Sequence, residues 1–190
     1  GYVQAFSWVD TLGEWKPEGS RMVNSGPNAQ VDDRFGFSVS LSADGSRCVA
    51  GAPLYDGGGI MNGGLASVFE YTPQSASSTA KWNQIGGDLI GDGSNQKQLG
   101  FSVSLSPDGQ YVAVGASGDT TTFGRVYIHR WDGYFWDHAQ PITSDKLNDD
   151  FGYAVSLSFN GATVAIGSPR TSRGIGHGYA SIYELEVLKG

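Results

Sequence analysis

Alternation of apolar and polar residues marks a unit that this chain contains three times. In Phe35–Pro53, FGFSVSLSADGSRCVAGAP, Val39 and Leu41 alternate with serines, which is the period of a half-buried strand. An Asp-Gly pair and a second, more uniformly apolar run follow. Two such runs around Asp-Gly or Asn-Gly predict a tight β-hairpin, because Gly and Asn tolerate the positive φ that the turn requires. The other copies are Leu99–Ser117 and Phe151–Pro169, displaced by 64 and then 52 residues.

Two further strands are predicted after each hairpin. The third strands begin at a glycine and read Gly64–Tyr71, Gly124–Trp131 and Gly178–Leu185. A short fourth strand carries a tryptophan, which is Trp82 in one unit and Trp136 in the next. Each unit is therefore predicted to be a four-stranded antiparallel meander, and such sheets repeated in series are the blades of a β-propeller. The predicted fold class is all-β.

The repeat also predicts how the chain is divided. Residues 1–34 match the third and fourth strands of a preceding blade, followed by a connector. Residues 35–98 and 99–150 are two complete blades, and residues 151–190 are a blade that lacks its fourth strand. A propeller closes with about four to eight blades, so about three repeats do not close a ring. We expect the chain to be part of a larger propeller or to be completed by other chains.

The motifs at the two ends of the hairpin unit resemble those of the FG-GAP repeat family, which includes the propeller of integrin alpha subunits. The first copy, with Phe35-Gly36 at its start and Gly51-Ala52-Pro53 at its end, matches the motif fully. The third copy departs from it at one position and the second copy at two. The resemblance implies a secreted or cell-surface propeller. It also implies a non-enzymatic interaction or adhesion module that binds a protein or glycan partner through blade loops or edges.

Composition argues against several kinds of partner. The formal net charge is -7 and the pI is about 4.7, whereas nucleic-acid binding requires clustered Lys and Arg. The sequence contains no run of about 18 consecutive apolar residues, so no membrane-spanning helix is predicted. The first ten residues lack the basic start and the apolar run of a signal peptide. The single cysteine, Cys48, aligns with valines in the other copies, so we predict that it packs as a small hydrophobic residue.

Calcium is the metal that the family resemblance suggests, because some blades of that family carry an Asp-rich loop before the third strand. A hard cation needs several oxygen ligands that converge from one short loop. The corresponding loops here lack that acidic repeat, so no cofactor is predicted and calcium remains an alternative. The candidate ligands are aspartates of the loops and of the segments before the first strands: Asp32, Asp33, Asp56, Asp149 and Asp150. The other interpretation of the paired aspartates is turn capping by their side chains.

Contacts with a partner are predicted for residues of the inter-strand loops and for an exposed aromatic run. The candidates are Tyr55, Asp56, Asp119, Tyr134, Arg170 and Arg173. The tryptophans that share the fourth-strand position, Trp15, Trp82 and Trp136, are predicted instead to pack between neighbouring blades. The three histidines fall at different positions of the repeat, so no catalytic group is predicted. Two other functions stay open: a structural repeat that completes a ring or filament with other chains, and an enzyme whose site is completed by residues outside this chain.

Overall fold

A computed structural model describes residues 1–24, 26, 28–56, 60–91, 98–117, 123–138, 141–170 and 177–185, which form successive β-sheets and one short 3-10 helix, Val31–Asp33. A half-blade comes first and consists of β1 (Val3–Val9) and β2 (Glu14–Met22). Blade 1 consists of β3 (Ser38–Leu41), β4 (Arg47–Ala52), β5 (Leu65–Thr72) and β6 (Lys81–Gln84). Blade 2 consists of β7 (Leu99–Leu105), β8 (Tyr111–Ala116), β9 (Phe123–Trp131), β10 (Trp136–His138) and β11 (Ile142–Leu147). Blade 3 consists of β12 (Ala154–Leu157), β13 (Thr163–Ser168) and β14 (Tyr179–Glu184).

The strands of each blade pair with their neighbours in chain order. The order is β3-β4-β5-β6 in blade 1, β7-β8-β9-β10 in blade 2 and β12-β13-β14 in blade 3, and the pairing is antiparallel throughout. This is the predicted meander, and the fold is an arc of β-propeller blades. No helix among the described residues is long and apolar enough to cross a membrane.

Blade 2 has a fifth strand that the sequence pattern did not predict. Ile142 of β11 pairs with Val126 near the start of β9, whereas Trp136 of β10 pairs with Trp131 at its end. A single bridge between Ala66 and Leu89 occupies the corresponding place in blade 1. The sequence of this strand, ITSDKL, is mostly polar and lacks the apolar–polar alternation of the other strands. β11 pairs with the first half of β9 because β10 pairs only with the last three residues of that strand and leaves the rest of its outer edge free.

The hairpin turns of the three blades are closed by the same side-chain bonds. In blade 1, Ser42 Oγ donates to Asp44 Oδ1 at 2.6 Å and accepts from the backbone N of Arg47 at 2.9 Å. The hydroxyl of Ser42 and the N–H and hydroxyl of Ser46 hold the pKa of Asp44 at about 2, because they favour its charged form. The corresponding turns of the next two blades are built on Ser106 and Ser158.

The hydrophobic core lies between the blades. We call the side of a blade that faces the next blade its forward face, and the opposite side its backward face. Val49 and Val68 on the forward face of blade 1 pack with Val103 and Leu105 on the backward face of blade 2. Similar clusters join the half-blade to blade 1 and blade 2 to blade 3. Cys48 lies in the first of these two clusters, as predicted, and burial raises the pKa of its thiol to about 12.

Serines of the first strands bond to the blade that follows. Ser38 Oγ donates to the carbonyl O of Gly100 at 2.7 Å, and Ser102 Oγ donates to the carbonyl O of Gly152 at 2.7 Å. The polar positions of the alternating pattern therefore face a neighbouring backbone rather than solvent alone. Alternation in these strands separates two kinds of inter-blade contact, one apolar and one hydrogen-bonded.

The tryptophans of the fourth strands confirm the predicted inter-blade packing in two cases. Trp82 Nε1 donates to the carbonyl O of Glu18 at 3.0 Å, and Trp136 Nε1 donates to that of Ile85 at 3.2 Å. The prediction is wrong for Trp15, which is 64% exposed. No described blade lies in front of the half-blade, so the Trp15 ring packs instead edge-on against Trp8, at 5.6 Å between centroids.

Candidate binding site

A row of aromatic rings crosses the three blades at the start of their first strands. Phe37, Phe101 and Tyr153 each stand two residues after the first residue of their repeat copy. The ring centroids of Phe37 and Phe101 are 5.1 Å apart, and those of Phe101 and Tyr153 are 4.9 Å apart, with interplanar angles of 48° and 50°. We call these three side chains the aromatic stripe. Such pairs stabilise a fold by about 0.5–1.5 kcal/mol each beyond their area of burial.

The stripe stays partly exposed even where blades are packed together. Phe37 is 47% exposed, and no first strand lies in front of it in the described structure. Tyr153 is 48% exposed although blade 2 does lie in front of it, and the Phe101 ring between them is half-buried. Phe101 therefore stays partly exposed with a blade on either side, whereas Phe37 and Tyr153 each have a ring of the stripe on one side only.

The stripe lies at the end of the blades where the longer loops emerge. The backbone N of Phe37 donates to the carbonyl O of Gly51 at 3.2 Å, and β4 ends one residue later at Ala52. The loop to β5 begins there, and the connection into each first strand reaches the same end. This end of the arc therefore presents an apolar row of rings among polar loop segments.

The buried members of the two aspartate pairs cap turns. Asp33 and Asp149 occupy the same repeat position and are 3% and 0% exposed. Asp33 Oδ2 accepts from the backbone N of Gln30 at 2.6 Å. Asp149 Oδ2 accepts from the hydroxyls of Ser144 and Tyr179, both at 2.6 Å. Its Oδ1 accepts from the backbone N of Phe151 at 3.1 Å. These contacts are those expected from the capping interpretation.

The other candidate metal ligands do not converge. Asp32 is exposed, Asp56 Oδ1 accepts from the backbone N of Asn62 at 2.7 Å, and Asp150 Oδ2 pairs with Arg170 Nε at 3.0 Å. Within the described ranges, no three His, Cys, Asp or Glu side chains are grouped so that they could hold a metal ion. The five aspartates are thus distributed over separate turns, and a calcium site remains only a prediction.

Replacing Asp149 by alanine distinguishes the capping role from a metal site. We expect Asp149→Ala to lower the free energy of unfolding by about 2 kcal/mol, because two hydroxyls and one backbone N–H lose a buried acceptor. Denaturant unfolding with and without millimolar calcium measures this. Equal losses in both conditions agree with capping. A calcium-dependent stabilisation of the wild type that the variant lacks would show a metal ligand instead.

The predicted partner-contact residues have different environments. The prediction that Tyr55 contacts a partner is wrong, because its side chain is only 6% exposed and packs in the core cluster that joins the half-blade to blade 1. Tyr134 is 79% exposed at the turn between β9 and β10, where its backbone N donates to Asp132 Oδ1 at 2.7 Å. The Arg170 side chain is exposed and Asp56 is exposed in its loop. The remaining two candidates, Asp119 and Arg173, lie outside the described residues.

Sequence reasoning missed the aromatic stripe. Its signal is present, since the third residue of every copy is Phe or Tyr, in FGF, LGF and FGY. The pattern by itself indicates only the start of a strand at that position, because nothing along the chain shows that equivalent residues of successive blades touch. Their contact arises from the spacing of neighbouring blades in the arc.

Repeated antiparallel blades and an aromatic row across them define the chain as a set of β-propeller blades. No family model and no curated protein matches the chain. Hydrazine synthase of Kuenenia stuttgartiensis resembles it over 77% of this chain and 33% of the other, with 12% identity and a TM-score of 0.42. TolB from Acinetobacter baumannii resembles it over 96% of this chain and 37% of the other, with 14% identity and a TM-score of 0.45. The chain spans about a third of the length of either protein, and the fold assignment rests on strand order and register.

Proposed function

We propose that this chain is a non-enzymatic interaction module of FG-GAP-type blades and that its aromatic stripe binds a protein partner. The row of three contacting rings carries the proposal, because the Phe101 ring stays partly exposed although a blade lies on either side of it. Rigid aromatic side chains are enriched at the centres of protein interfaces. A secreted or cell-surface location belongs to the proposal because the FG-GAP resemblance implies it.

Charge indicates the kind of protein segment that fits. The net charge of the chain is -7, and the exposed carboxylates of Asp32 and Asp56 lie in segments at the same end of the blades as the stripe. Charge complementarity increases the rate and selectivity of association. The favoured partner is therefore a segment with apolar side chains flanked by basic ones.

Selection from a displayed peptide library tests the proposal directly. We expect selected peptides to be apolar with basic flanks, and Tyr153→Ser to weaken their binding at least about tenfold, which is about 1.4 kcal/mol. Tyr134→Ser is the matched control, because it removes an even more exposed ring outside the stripe. Isothermal titration gives the dissociation constants, and circular dichroism checks that both variants are folded.

Two results would contradict the protein-binding proposal. The first is that Tyr134→Ser abolishes the binding of the selected peptides while Tyr153→Ser leaves it unchanged. Binding would then use the turn between β9 and β10 and not the aromatic stripe. The other is binding on a glycan array that depends on Tyr153, which would assign the stripe to the glycan alternative. A structural assembly repeat is a second candidate function, and the uncovered faces at the two ends of the arc favour it.

A further inference from the structure

The third hairpin turn carries an asparagine at a position where the other two turns carry an aspartate. Asn160 in blade 3 is equivalent to Asp44 in blade 1 and to Asp108 in blade 2, and a glycine follows each of these residues. An Asn-Gly pair is chemically reactive, because glycine has no side chain that shields its backbone N from the neighbouring amide. The backbone N of Gly161 is therefore a nucleophile for the side-chain carbon Cγ of Asn160.

The turns of blades 1 and 2 direct two hydrogen-bond donors at the aspartate side chain. In blade 1, Asp44 Oδ1 accepts from Ser42 Oγ at 2.6 Å and from the backbone N of Ser46 at 2.9 Å. In blade 2, Asp108 Oδ1 accepts from Ser106 Oγ at 2.5 Å and from the backbone N two residues further on at 3.0 Å. Each of these groups donates to the side chain, which suits an acceptor-only carboxylate.

The amide of Asn160 receives the same two donors at longer distances. Ser158 Oγ donates to Asn160 Oδ1 at 3.2 Å, and the backbone N of Ala162 donates to it at 3.1 Å. Hydrogen bonds to an ionised acceptor are shorter and stronger than those to a neutral one. The Nδ2 group of Asn160 donates to no other residue in the described part of the chain. A carboxylate at position 160 would therefore be bound more tightly by this turn than the amide is.

The exposure of Asn160 does not depend on a missing neighbour. Asp108 is exposed although blades 1 and 3 lie on either side of it, and Asp44 is exposed although blade 2 lies beside it. Asn160 is exposed at the same position of its own turn. The amide group is thus accessible to water in every arrangement of blades that the structure shows.

We propose that Asn160 deamidates spontaneously in the folded chain and that the aspartate which forms completes the third turn. The backbone N of Gly161 attacks Cγ of Asn160 and forms an N–Cγ bond. The Cγ–Nδ2 bond breaks, and Nδ2 leaves as ammonia with the proton that the backbone N gives up. The product is a five-membered succinimide ring.

Water then opens the succinimide in one of two ways. Attack of water on Cγ breaks the bond between Cγ and the backbone N of Gly161, returns a proton to that N and gives aspartate with a normal main chain. Attack on the main-chain carbonyl carbon of residue 160 gives isoaspartate, whose main chain runs through Cγ and is one carbon longer. Water is the only co-reactant, and no group is oxidised or reduced.

The first step requires a brief opening of the hairpin tip. In the closed turn the backbone N of Gly161 donates to the carbonyl O of Ser158 at 3.1 Å, so its proton is engaged. The hydrogen bonds of Asn160 and Gly161 stay within their own turn in the described structure, and such a tip opens at much less cost than the whole fold. The closed turn then re-forms around aspartate, whereas the longer main chain of isoaspartate does not fit it.

A second Asn-Gly pair, Asn62-Gly63 in the loop before β5, provides an internal comparison. The carbonyl O of Asn62 accepts from the backbone N of Gln98 at 2.8 Å, and that of Gly63 accepts from the backbone N of Leu99 at 3.0 Å. Opening this pair therefore breaks hydrogen bonds to the start of blade 2. We expect Asn62 to deamidate at least about tenfold more slowly than Asn160 in the folded chain.

Peptide mapping by mass spectrometry tests the proposal on the 190-residue chain, kept folded at mildly alkaline pH. We expect the peptide that contains Asn160 to gain the mass that replaces an amino group by a hydroxyl group, with aspartate as the main product. Asn160→Gln is the control, because its longer side chain would have to close a larger ring. Gly161→Ala is unsuitable, since its Cβ would lie 2.3 Å from the Tyr111 ring and would disturb the fold.

Thermal unfolding of Asn160→Asp tests whether the turn favours the product. We expect the variant to raise the midpoint of unfolding by about 2 °C at neutral pH, because its hydrogen bonds become charge-assisted. In the equivalent turn the pKa of Asp44 is lowered to about 2, and we expect the same direction at position 160. The gain is therefore present above the pKa of an unfolded aspartate and is lost as the pH falls through the lowered pKa of the folded one.

Four results would overturn the proposal. They are an Asn160 peptide that keeps its mass, a product that is mainly isoaspartate, faster reaction at Asn62, and an Asn160→Asp variant no more stable than the wild type at neutral pH. The turn follows β12, whereas Tyr153 of the aromatic stripe precedes that strand, so the modified residue lies at the other end of the blade. The peptide-binding test therefore succeeds or fails independently.

Discussion

Phe151→Ala is expected to lower the free energy of unfolding by about 4 kcal/mol, because it empties the centre of a packed joint between two blades. Phe151 is 1% exposed and lies in a cluster with Val126 and Ile128 of blade 2 and Val164 of blade 3. It heads the third repeat copy, and its removal leaves a cavity that the rigid β-backbone closes only in part. Urea-induced unfolding followed by near-ultraviolet circular dichroism measures the loss.

Two companion variants make the measurement specific to that cavity. Phe159→Ala removes the same side chain from a 69% exposed position at the β12–β13 turn, and we expect a change within about 0.5 kcal/mol. Phe151→Leu introduces the residue that stands at the equivalent Leu99, and we expect it to cost about 1 kcal/mol. Similar losses for Phe151→Ala and Phe159→Ala would contradict a core that lies between blades.

Gly115→Ala is expected to destabilise the fold by about 3 kcal/mol, at the upper end of what one added methyl group costs in a packed interior. The new Cβ would lie 2.2 Å from the carbonyl O of Gly152 and 2.3 Å from Ser102 Oγ, so blades 2 and 3 must separate to admit it. The clash with Gly152 involves backbone, which cannot rotate away. Thermal and denaturant unfolding at low protein concentration measure the effect without a contribution from association.

The third repeat copy provides the matched control for this prediction. Gly167 occupies the same position, and an added Cβ there would make only ordinary contacts with Ala154, at 3.4 Å from its Cβ and 3.7 Å from its carbonyl O. We therefore expect Gly167→Ala to leave the stability of the single chain unchanged within about 0.5 kcal/mol. Equal losses at both positions would mean that glycine is required there by the strand itself and not by the neighbouring blade.

The hairpins could be predicted from the sequence because their causes are local. Gly45, Gly109 and Gly161 have φ of 69°, 70° and 68°, a region that residues with a Cβ rarely adopt. Side chains two residues apart close each turn, as between Ser42 and Asp44. Strand β11 could not be predicted in this way, since its polar residues pair with β9 only because that edge is free.

The candidate site was predicted less well, since its members come from different blades. Tyr55 was expected at the surface because loops are usually exposed, yet its ring fills the core beneath its own loop. Trp15 shares its repeat position with two buried tryptophans and is nevertheless exposed, because burial there depends on the blade in front. The same reason hid the aromatic stripe, whose rings stand 64 and 52 residues apart along the chain.

The sequence by itself determined the repeating unit, its four-strand order and its turns, because these follow from alternation and from residues that tolerate positive φ. Only the tertiary structure decided what each repeated position does. Equivalent residues such as Val68 and Ile182 are buried or exposed according to whether another blade covers them. The physical reason is that this fold has its core between units rather than within them, so the environment of a side chain is set by its neighbour in space.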